Sequence, residues 1–255
     1  METQLRRLKP SKLIFIGLLS LVLASASVSW AQIVVTTLAD SGPGSLRQAI
    51  IDASADGVAT TITFDPAVFP PPPALPGLIL LATPLPNLTG TGDTIDGTGA
   101  GVVLDGSALA AGSVGLRVRR SNYTIRGLTI QNMPSDGIRV ETPPPPSVTL
   151  NVTGVLITGN TLNQNRSRGI RVLGGTGPGK TVSASITNNT VADNLVGGIT
   201  VSANSGDIGS GDPGGNQVDV IIDGNFVSGA VLGGTAGGNG ISISGGSGDG
   251  SNNVV

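Results

Sequence analysis

The chain has 255 residues, of which 12% are charged and 2% aromatic, and it contains 40 glycines but neither cysteine nor histidine. Their absence excludes a disulfide scaffold, a thiolate nucleophile, a Cys/His zinc site and a Ser-His-Asp triad. The first 31 residues hold four of the 14 basic residues and one of the 16 acidic ones, which leaves the rest of the chain with a net charge near −5. This negative balance argues against nucleic acid as the main partner.

Residues 1–31 have the layout of a secretory signal peptide. A basic segment precedes an apolar run at 13–24, and Ser29 and Ala31 are the small residues before a cleavage site at Gln32. An uncleaved membrane anchor is the alternative, but the run is shorter than the roughly 20 residues that span a bilayer. We therefore expect a secreted or surface-displayed protein with no membrane span after signal cleavage.

A strand and a short helix are predicted next. Residues 34–38 alternate as a strand does, and a Gly-rich turn follows at 40–44. Ser45 and Gln48 have the spacing of a capping box, and the apolar residues 46, 49 and 50 share one helical face. Such a helix would cover the apolar core at the open end of a repeat array.

Four repeats then follow, each with two alternating segments centred on an isoleucine. The isoleucine pairs are 125 and 138, 157 and 170, 186 and 199, and 222 and 241. Successive repeats begin 32, 29 and 36 residues apart, a period typical of solenoid architectures. The short strands have no helices between them, so parallel pairing requires the chain to wind as a coil. The sequence therefore predicts an all-β, right-handed parallel β-helix with a short N-terminal capping helix.

The repeats also predict what points inward. The apolar residues of each strand should stack into one core, with side chains of consecutive coils about 4.8 Å apart. These inward residues are Ile138, Val140, Ile170, Val172, Ile199 and Val201. The predicted organisation is a signal peptide at 1–31, a cap and first coils at 32–115, and repeat coils at 116–255, truncated at the C-terminus.

Asparagines recur three residues after the first isoleucine of the later repeats, at Asn160, Asn189 and Asn225, whereas the first repeat has Leu128 there. Ligand contact is one interpretation. A ladder of stacked amides at a bend is the favoured one, beginning one coil after Leu128.

The N-terminal part resembles a known family. Residues 45–50 read Ser-Leu-Arg-Gln-Ala-Ile, similar to the core of the CSLREAI domain of secreted bacterial β-helix proteins, with Gly44 in place of Cys and Gln48 in place of Glu. The segments at 85–89, 94–97 and 127–130 follow that family's order, so the resemblance covers roughly residues 33–132. The later coils are similar to pectin-lyase-like repeats. The resemblance implies export and cell-surface or matrix association, and it supplies no catalytic motif.

The candidate ligand site lies beside the second isoleucine of the first two repeats. Arg139 and Arg171 occupy equivalent outward positions, and Asp136 and Arg168 stand at equivalent positions before them. These four residues would bind an anionic ligand. A lyase would use an arginine as base and carboxylates to hold calcium against an acidic sugar. The alternative is a cross-coil surface ion pair between Asp136 and Arg168, which would contribute about 0–1 kcal/mol.

Other carboxylates point less clearly to chemistry. Asp193 and Asp223 are candidates for a glycosidase pair, while Asp96 and Asp105 precede glycine and are typical of turns. The sequence indicates no metal site and no cofactor, with calcium as the alternative. We therefore expect an extracellular scaffold for adhesion, matrix or polysaccharide binding. The alternative is a polysaccharide lyase or glycoside hydrolase, or the inactive stem of one.

Overall fold

The computed structural model describes residues 31–143, 151–174, 179–203, 216–229 and 239–244. Three parallel sheets and one helix form a parallel β-helix, as the repeats predict. The predicted signal peptide, except Ala31, and the predicted C-terminal truncation lie outside these residues. No helix in the described ranges is long and apolar enough to cross a membrane.

Each of the last five coils contributes one strand to each sheet, whereas the first coil contributes only to the first sheet and the second coil only to the first and second sheets. The first sheet contains β1 (Ala31–Val35), β2 (Thr60–Phe64), β4 (Thr94–Asp96), β7 (Thr124–Arg126), β10 (Val152–Thr158), β13 (Thr181–Thr187) and β16 (Gln217–Asp223). The second contains β3 (Gly77–Leu80), β5 (Val102–Asp105), β8 (Leu128–Gln131), β11 (Thr161–Asn163), β14 (Thr190–Ala192) and β17 (Phe226–Ser228). The third contains β6 (Leu116–Val118), β9 (Ile138–Val140), β12 (Arg168–Leu173), β15 (Gly197–Ser202) and β18 (Asn239–Ser244).

The strand register stacks equivalent residues of consecutive coils. In the first sheet one isoleucine of each strand pairs with its counterpart in the next, through positions 33, 62, 95, 125, 157, 186 and 222. In the third sheet Ile138, Ile170 and Ile199 pair in the same way and are fully buried. The six residues predicted to point inward all belong to this core, which confirms the predicted alternation.

The predicted helix is α1 (Leu46–Ala55), which buries one apolar face against β1 and β2. Ser45 is its N-cap, with the hydroxyl oxygen accepting a hydrogen bond from the Gln48 backbone N at 3.1 Å. The second half of the predicted capping box does not form. The Gln48 amide donates instead to Asp52 at 2.7 Å, and the Ser45 backbone N bonds to Gly42 at 3.2 Å. The turn before the helix already satisfies the Ser45 N–H, so the side chain of Gln48 is released to the next helical turn.

The predicted asparagine ladder stands at the corner between the first and second sheets. The Asn160 amide nitrogen donates to the Asn189 side-chain oxygen at 3.0 Å, and that of Asn189 donates to Asn225 at 2.9 Å. The backbone N of Leu128 donates to the Asn160 side chain at 3.1 Å, so the amide ladder starts one coil after Leu128. These bonds confirm the structural interpretation of the three asparagines.

A second ladder, which the sequence analysis missed, stands at the corner between the second and third sheets. The Asn165 amide nitrogen donates to Asn194 at 2.9 Å, and the backbone N of Met133 donates to Asn165 at 3.0 Å. Both asparagines are buried. The sequence signal was present, because each follows an asparagine of the first ladder by five residues.

Candidate functional site

Three arginines form a column on the outer face of the third sheet. The register pairs Arg139 with Arg171 on one side and with Arg117 on the other. In each strand the residues flanking the arginine point into the core, so strand alternation forces the arginine outward. Strand stacking places the backbones of consecutive arginines about 4.8 Å apart. Their positive charges therefore repel each other unless an anion lies between them.

Glu141 partly neutralises this column. Its carboxylate contacts Arg119 at 2.6 Å, Arg117 at 3.4 Å and Arg139 at 4.0 Å. One carboxylate is thus shared among three guanidinium groups, and the short contact goes to Arg119. Arg117 has only the 3.4 Å contact to Glu141, so it retains most of its hydrogen-bonding capacity for other groups.

Asp136 is the second carboxylate, and its side chain is fully buried. It contacts the Arg139 guanidinium at 2.6 Å, accepts a hydrogen bond from the Arg168 backbone N at 3.2 Å, and lies 4.0 Å from the Arg168 guanidinium. The predicted cross-coil Asp136–Arg168 ion pair is therefore present at 4.0 Å, but the prediction that it lies at the surface is wrong, because Asp136 is buried and its shorter ion pair is with Arg139. The Arg168 guanidinium donates hydrogen bonds to the hydroxyl groups of Thr200 and Ser167, each at 3.2 Å.

Arg171 stands apart from these pairs. It forms no ion pair with any residue that the structure describes, and its Nε is buried without a hydrogen-bond partner. Burial lowers the pKa of Arg171 from its ordinary value, and the positive charges of Arg168 and Arg139 act in the same direction, while the negative charges of Asp136 and Glu141 oppose them. The pKa of Arg117 is also lowered, first by burial and then by its basic neighbours against the pull of Glu141. Both guanidinium groups remain charged at neutral pH, so an anion that bound here would relieve an unfavourable arrangement.

We call the five arginines with Asp136 and Glu141 the arginine cluster. Its basic members are Arg117, Arg119, Arg139, Arg168 and Arg171. They are half of the ten basic residues that follow residue 31, gathered on a chain whose overall charge is negative. The cluster carries five positive and two negative charges, a local excess of three. Of its members, the sequence analysis proposed Arg139, Arg171, Arg168 and Asp136 as site residues and missed the other two arginines.

The missed arginines lie in a coil whose spacing hides the repeat. Leu116, Arg117 and Val118 alternate like Ile138, Arg139 and Val140, and this similarity was the available signal. The loop at 106–115 lengthens this coil, so the spacing of its isoleucine and leucine differs from that of the later repeats.

The other carboxylates proposed from the sequence do not come together. Asp223 ends β16 in the first sheet, whereas Asp193 occupies the turn after β14 with a φ of 55°. Asp96 and Asp105 accept hydrogen bonds from the backbone N two residues ahead, at 2.9 and 2.8 Å, which confirms them as turn residues. Among the described residues, no group of three or more His, Cys, Asp or Glu could hold a metal ion.

The few aromatic residues serve mainly as core. Phe64 and Phe69 pack edge to face with ring centroids 5.0 Å apart, and Tyr123 is buried. Phe226 is 64% exposed on the last described coil, away from the arginine cluster. Charge and hydrogen bonding therefore dominate the chemistry of the cluster.

Comparison with known proteins places the chain in one family. Residues 95–245 match the model of a family described as "Protein of unknown function (DUF1565)", and the match covers more than half of the chain. The chain therefore belongs to this family. No curated protein matches it.

Proposed function

We propose that this member of a family without a known activity is an extracellular or cell-surface β-helix scaffold that binds acidic polysaccharide through the arginine cluster. The observation that carries the proposal is the excess of three positive charges in the cluster around Arg171, whose buried Nε has no hydrogen-bond partner among the described residues. Export is supported by the signal-peptide pattern of residues 1–31.

The geometry of the column favours an extended ligand. Arg117, Arg139 and Arg171 repeat along the axis of the stack, one per coil, so their spacing of about 4.8 Å matches a polymer with regularly spaced anionic groups. Planar guanidinium groups bind carboxylates through two parallel hydrogen bonds, which selects carboxylated sugars over neutral ones. Nucleic acid is a poorer candidate, because the remainder of the chain is acidic and would repel a long polyanion.

Stability limits which arginine can be tested. Removing Arg139 would leave the fully buried Asp136 without its main partner, and an uncompensated buried charge costs about 3–5 kcal/mol. Arg171 has no such partner among the described residues, so Arg171→Ala should leave folding nearly intact. Arg126→Ala is the matched control, because Arg126 is an exposed arginine on the first sheet that pairs with Asp96 at 2.7 Å.

The experiment incubates the protein with polygalacturonate, heparin and the neutral polymer dextran, with and without calcium, and measures both binding and chain cleavage. We expect saturable, salt-sensitive binding of the acidic polymers and none of dextran. A hydrogen bond to a charged group contributes about 1.5–3 kcal/mol, so Arg171→Ala should weaken binding about 10-fold to 100-fold. Arg126→Ala should bind like the unchanged protein.

The outcomes separate the alternatives. Equal loss in the Arg171 and Arg126 variants would show a diffuse charge effect and would reject the cluster as the site. Unsaturated products from polygalacturonate would identify a lyase instead of a scaffold. No binding of any acidic polymer would overturn the proposal.

A further inference from the structure

A concave site lies at the corner between the second and third sheets. It encloses about 400 Å³, within the range of about 300–1,000 Å³ that small-ligand pockets occupy. Its lining residues are Gly106, Ser107, Leu109, Ala111, Asn132, Pro134, Gln164 and Arg166. We call it the corner pocket. It shares no residue with the arginine cluster.

One wall of the pocket is an extra-long corner. The segment 106–115 connects β5 to β6, whereas the equivalent connection between β8 and β9 is only 132–137. The ends of the longer segment are tied to the shorter one, because Gly106 N bonds to the carbonyl of Gln131 and Gly115 N to that of Asp136, both at 3.0 Å. The surplus residues therefore project over the corner below.

This wall is an ordered part of the fold. Leu109 is buried and belongs to the hydrophobic core. Ser113 donates through both its hydroxyl and its backbone N to the carbonyl of Ala110, at 2.6 and 3.2 Å. Together with Pro134, Leu109 supplies an apolar surface, which suits the C–H face of a sugar ring.

The floor of the pocket is polar and held in place by Asp105. This aspartate accepts hydrogen bonds from the Ser107 backbone N, the Gln131 amide and the Asn132 amide, each at 2.8 Å. Burial acts to raise the pKa of Asp105, but these hydrogen bonds outweigh it and the pKa is lowered, so the carboxylate is ionised at neutral pH. The Asn132 amide nitrogen is engaged by Asp105, whereas its side-chain oxygen accepts no hydrogen bond from the described residues and is an acceptor for a ligand hydroxyl.

Two polar side chains of the next coil complete the pocket. Gln164 and Arg166 form no side-chain hydrogen bond or ion pair within the described part of the chain, although their backbone N–H groups bond to Ala192 and Met133. Gln164 and Asn132 have φ values of 55° and 56°, and each follows a residue of the paired strands β11 and β8, in which Asn163 pairs with Gln131. An amide and a guanidinium are thus available at one small concave site.

From these groups we infer that the corner pocket binds a single hexuronate unit, free or at the end of a glycan. The Arg166 guanidinium would bind the carboxylate. Asn132 and Gln164 would bind the ring hydroxyls, and Leu109 and Pro134 would contact the ring. This inference is independent of polymer binding at the arginine cluster, because the residues differ and the ligand is a monosaccharide.

The test titrates the full protein with D-glucuronate and D-galacturonate, with glucose as the neutral comparison, by calorimetry and by NMR shift mapping. We expect saturable binding of a uronate, weaker binding of glucose, and shifted resonances at 106–111, 132–134 and 164–166. Arg166→Gln should weaken uronate binding at least tenfold and leave glucose binding unchanged. Gln164→Asn, which keeps a residue tolerant of positive φ, should weaken both.

Two controls assign the result to the pocket. Arg126→Gln makes the same change on a different sheet and should not affect uronate binding. Arg171→Ala should also leave it unchanged, even where it abolishes polymer binding. Absence of saturable uronate binding would overturn the inference, and so would uronate binding that survives Arg166→Gln or is lost in Arg171→Ala. Melting curves of every variant establish that a loss of binding is not a loss of fold.

Discussion

The first asparagine ladder allows a demanding test of what holds the stack together. Asn189 is its central member and is almost fully buried. Its side-chain oxygen accepts from both the backbone N and the amide nitrogen of Asn160, each at 3.0 Å. Its own amide nitrogen donates to the carbonyl of Ile157 and the side chain of Asn225, both at 2.9 Å.

Replacing Asn189 with alanine removes every one of these bonds and leaves the partner groups buried. An unsatisfied buried polar group costs about 1–3 kcal/mol. In this variant three groups lose the Asn189 side chain as a partner, namely the backbone N–H of Asn160, its side-chain amide and the carbonyl of Ile157. Some relaxation is available to the Asn160 side chain, which also bonds to Ile125 at 2.9 Å. We therefore expect Asn189→Ala to lower the free energy of unfolding by about 3–5 kcal/mol.

The chain offers a matched control in Asn163. It faces outward on the second sheet, and its side-chain oxygen is buried with no hydrogen-bond partner. Asn163→Ala makes the same chemical change but removes an unsatisfied group, so the free energy of unfolding should change by less than about 0.5 kcal/mol or rise.

The assay is urea unfolding followed by circular dichroism, with native-state hydrogen exchange at the backbone amides of Asn160 and Leu128. Hydrogen exchange is needed because coils of a repeat protein can open locally before the whole stack unfolds. Asn189→Ala should speed exchange at Asn160, whose amide bonds directly to it. Equal effects of Asn189→Ala and Asn163→Ala on stability would refute the reasoning that the ladder, and not general packing, holds the corner.

Two further predictions concern the core residue Ile170 and the buried carboxyl group of Asp93, which lies next to Tyr123. Ile170→Asp should abolish cooperative folding, because the side chain is fully buried between Ile138 and Ile199. The control Ile170→Val should lower the free energy of unfolding by only about 0.5–1.5 kcal/mol. An unchanged melting curve for the aspartate variant would contradict the inward orientation of Ile170. Asp93 is fully buried and accepts from the Tyr123 hydroxyl at 2.7 Å and the Thr60 backbone N at 3.1 Å. Burial raises the pKa of Asp93 and the charge of Asp56 raises it further, whereas the two hydrogen bonds lower it. The net pKa is raised, so the native state holds the proton more tightly than the unfolded chain does. Stability from this group is therefore present at low pH and is lost as pH rises above about 4, the ordinary pKa of an aspartate, so Asp93→Asn should gain stability relative to the unchanged protein as pH rises from about 4 in urea titrations. A difference between the two proteins that stays constant over this pH range would show that Asp93 does not titrate there.

The local pattern of the chain determined the architecture. Alternating apolar residues at a period near 30 can be buried only by stacking coil on coil, so the isoleucine pairs from Ile125 onward predicted the core, the outward arginines and the first amide ladder. The earlier strands carry the same isoleucine column at positions 33, 62 and 95. Their spacing is obscured by the helix and by loops of unequal length, which add residues outside the stack without changing its core.

Only the tertiary structure decided which charges meet. A repeat specifies that two arginines share a column, but the partner of each depends on corner geometry that varies from coil to coil. Asp136 pairs with Arg139, and Glu141, just beyond β9, pairs with Arg119 in the coil before it. Arg171 forms no ion pair within the described part of the chain. The corner pocket has the same origin, because it exists only where the long segment 106–115 overhangs a shorter corner. Strand register follows from local alternation, whereas ion pairs and cavities depend on contacts between residues of different coils, which no single repeat encodes.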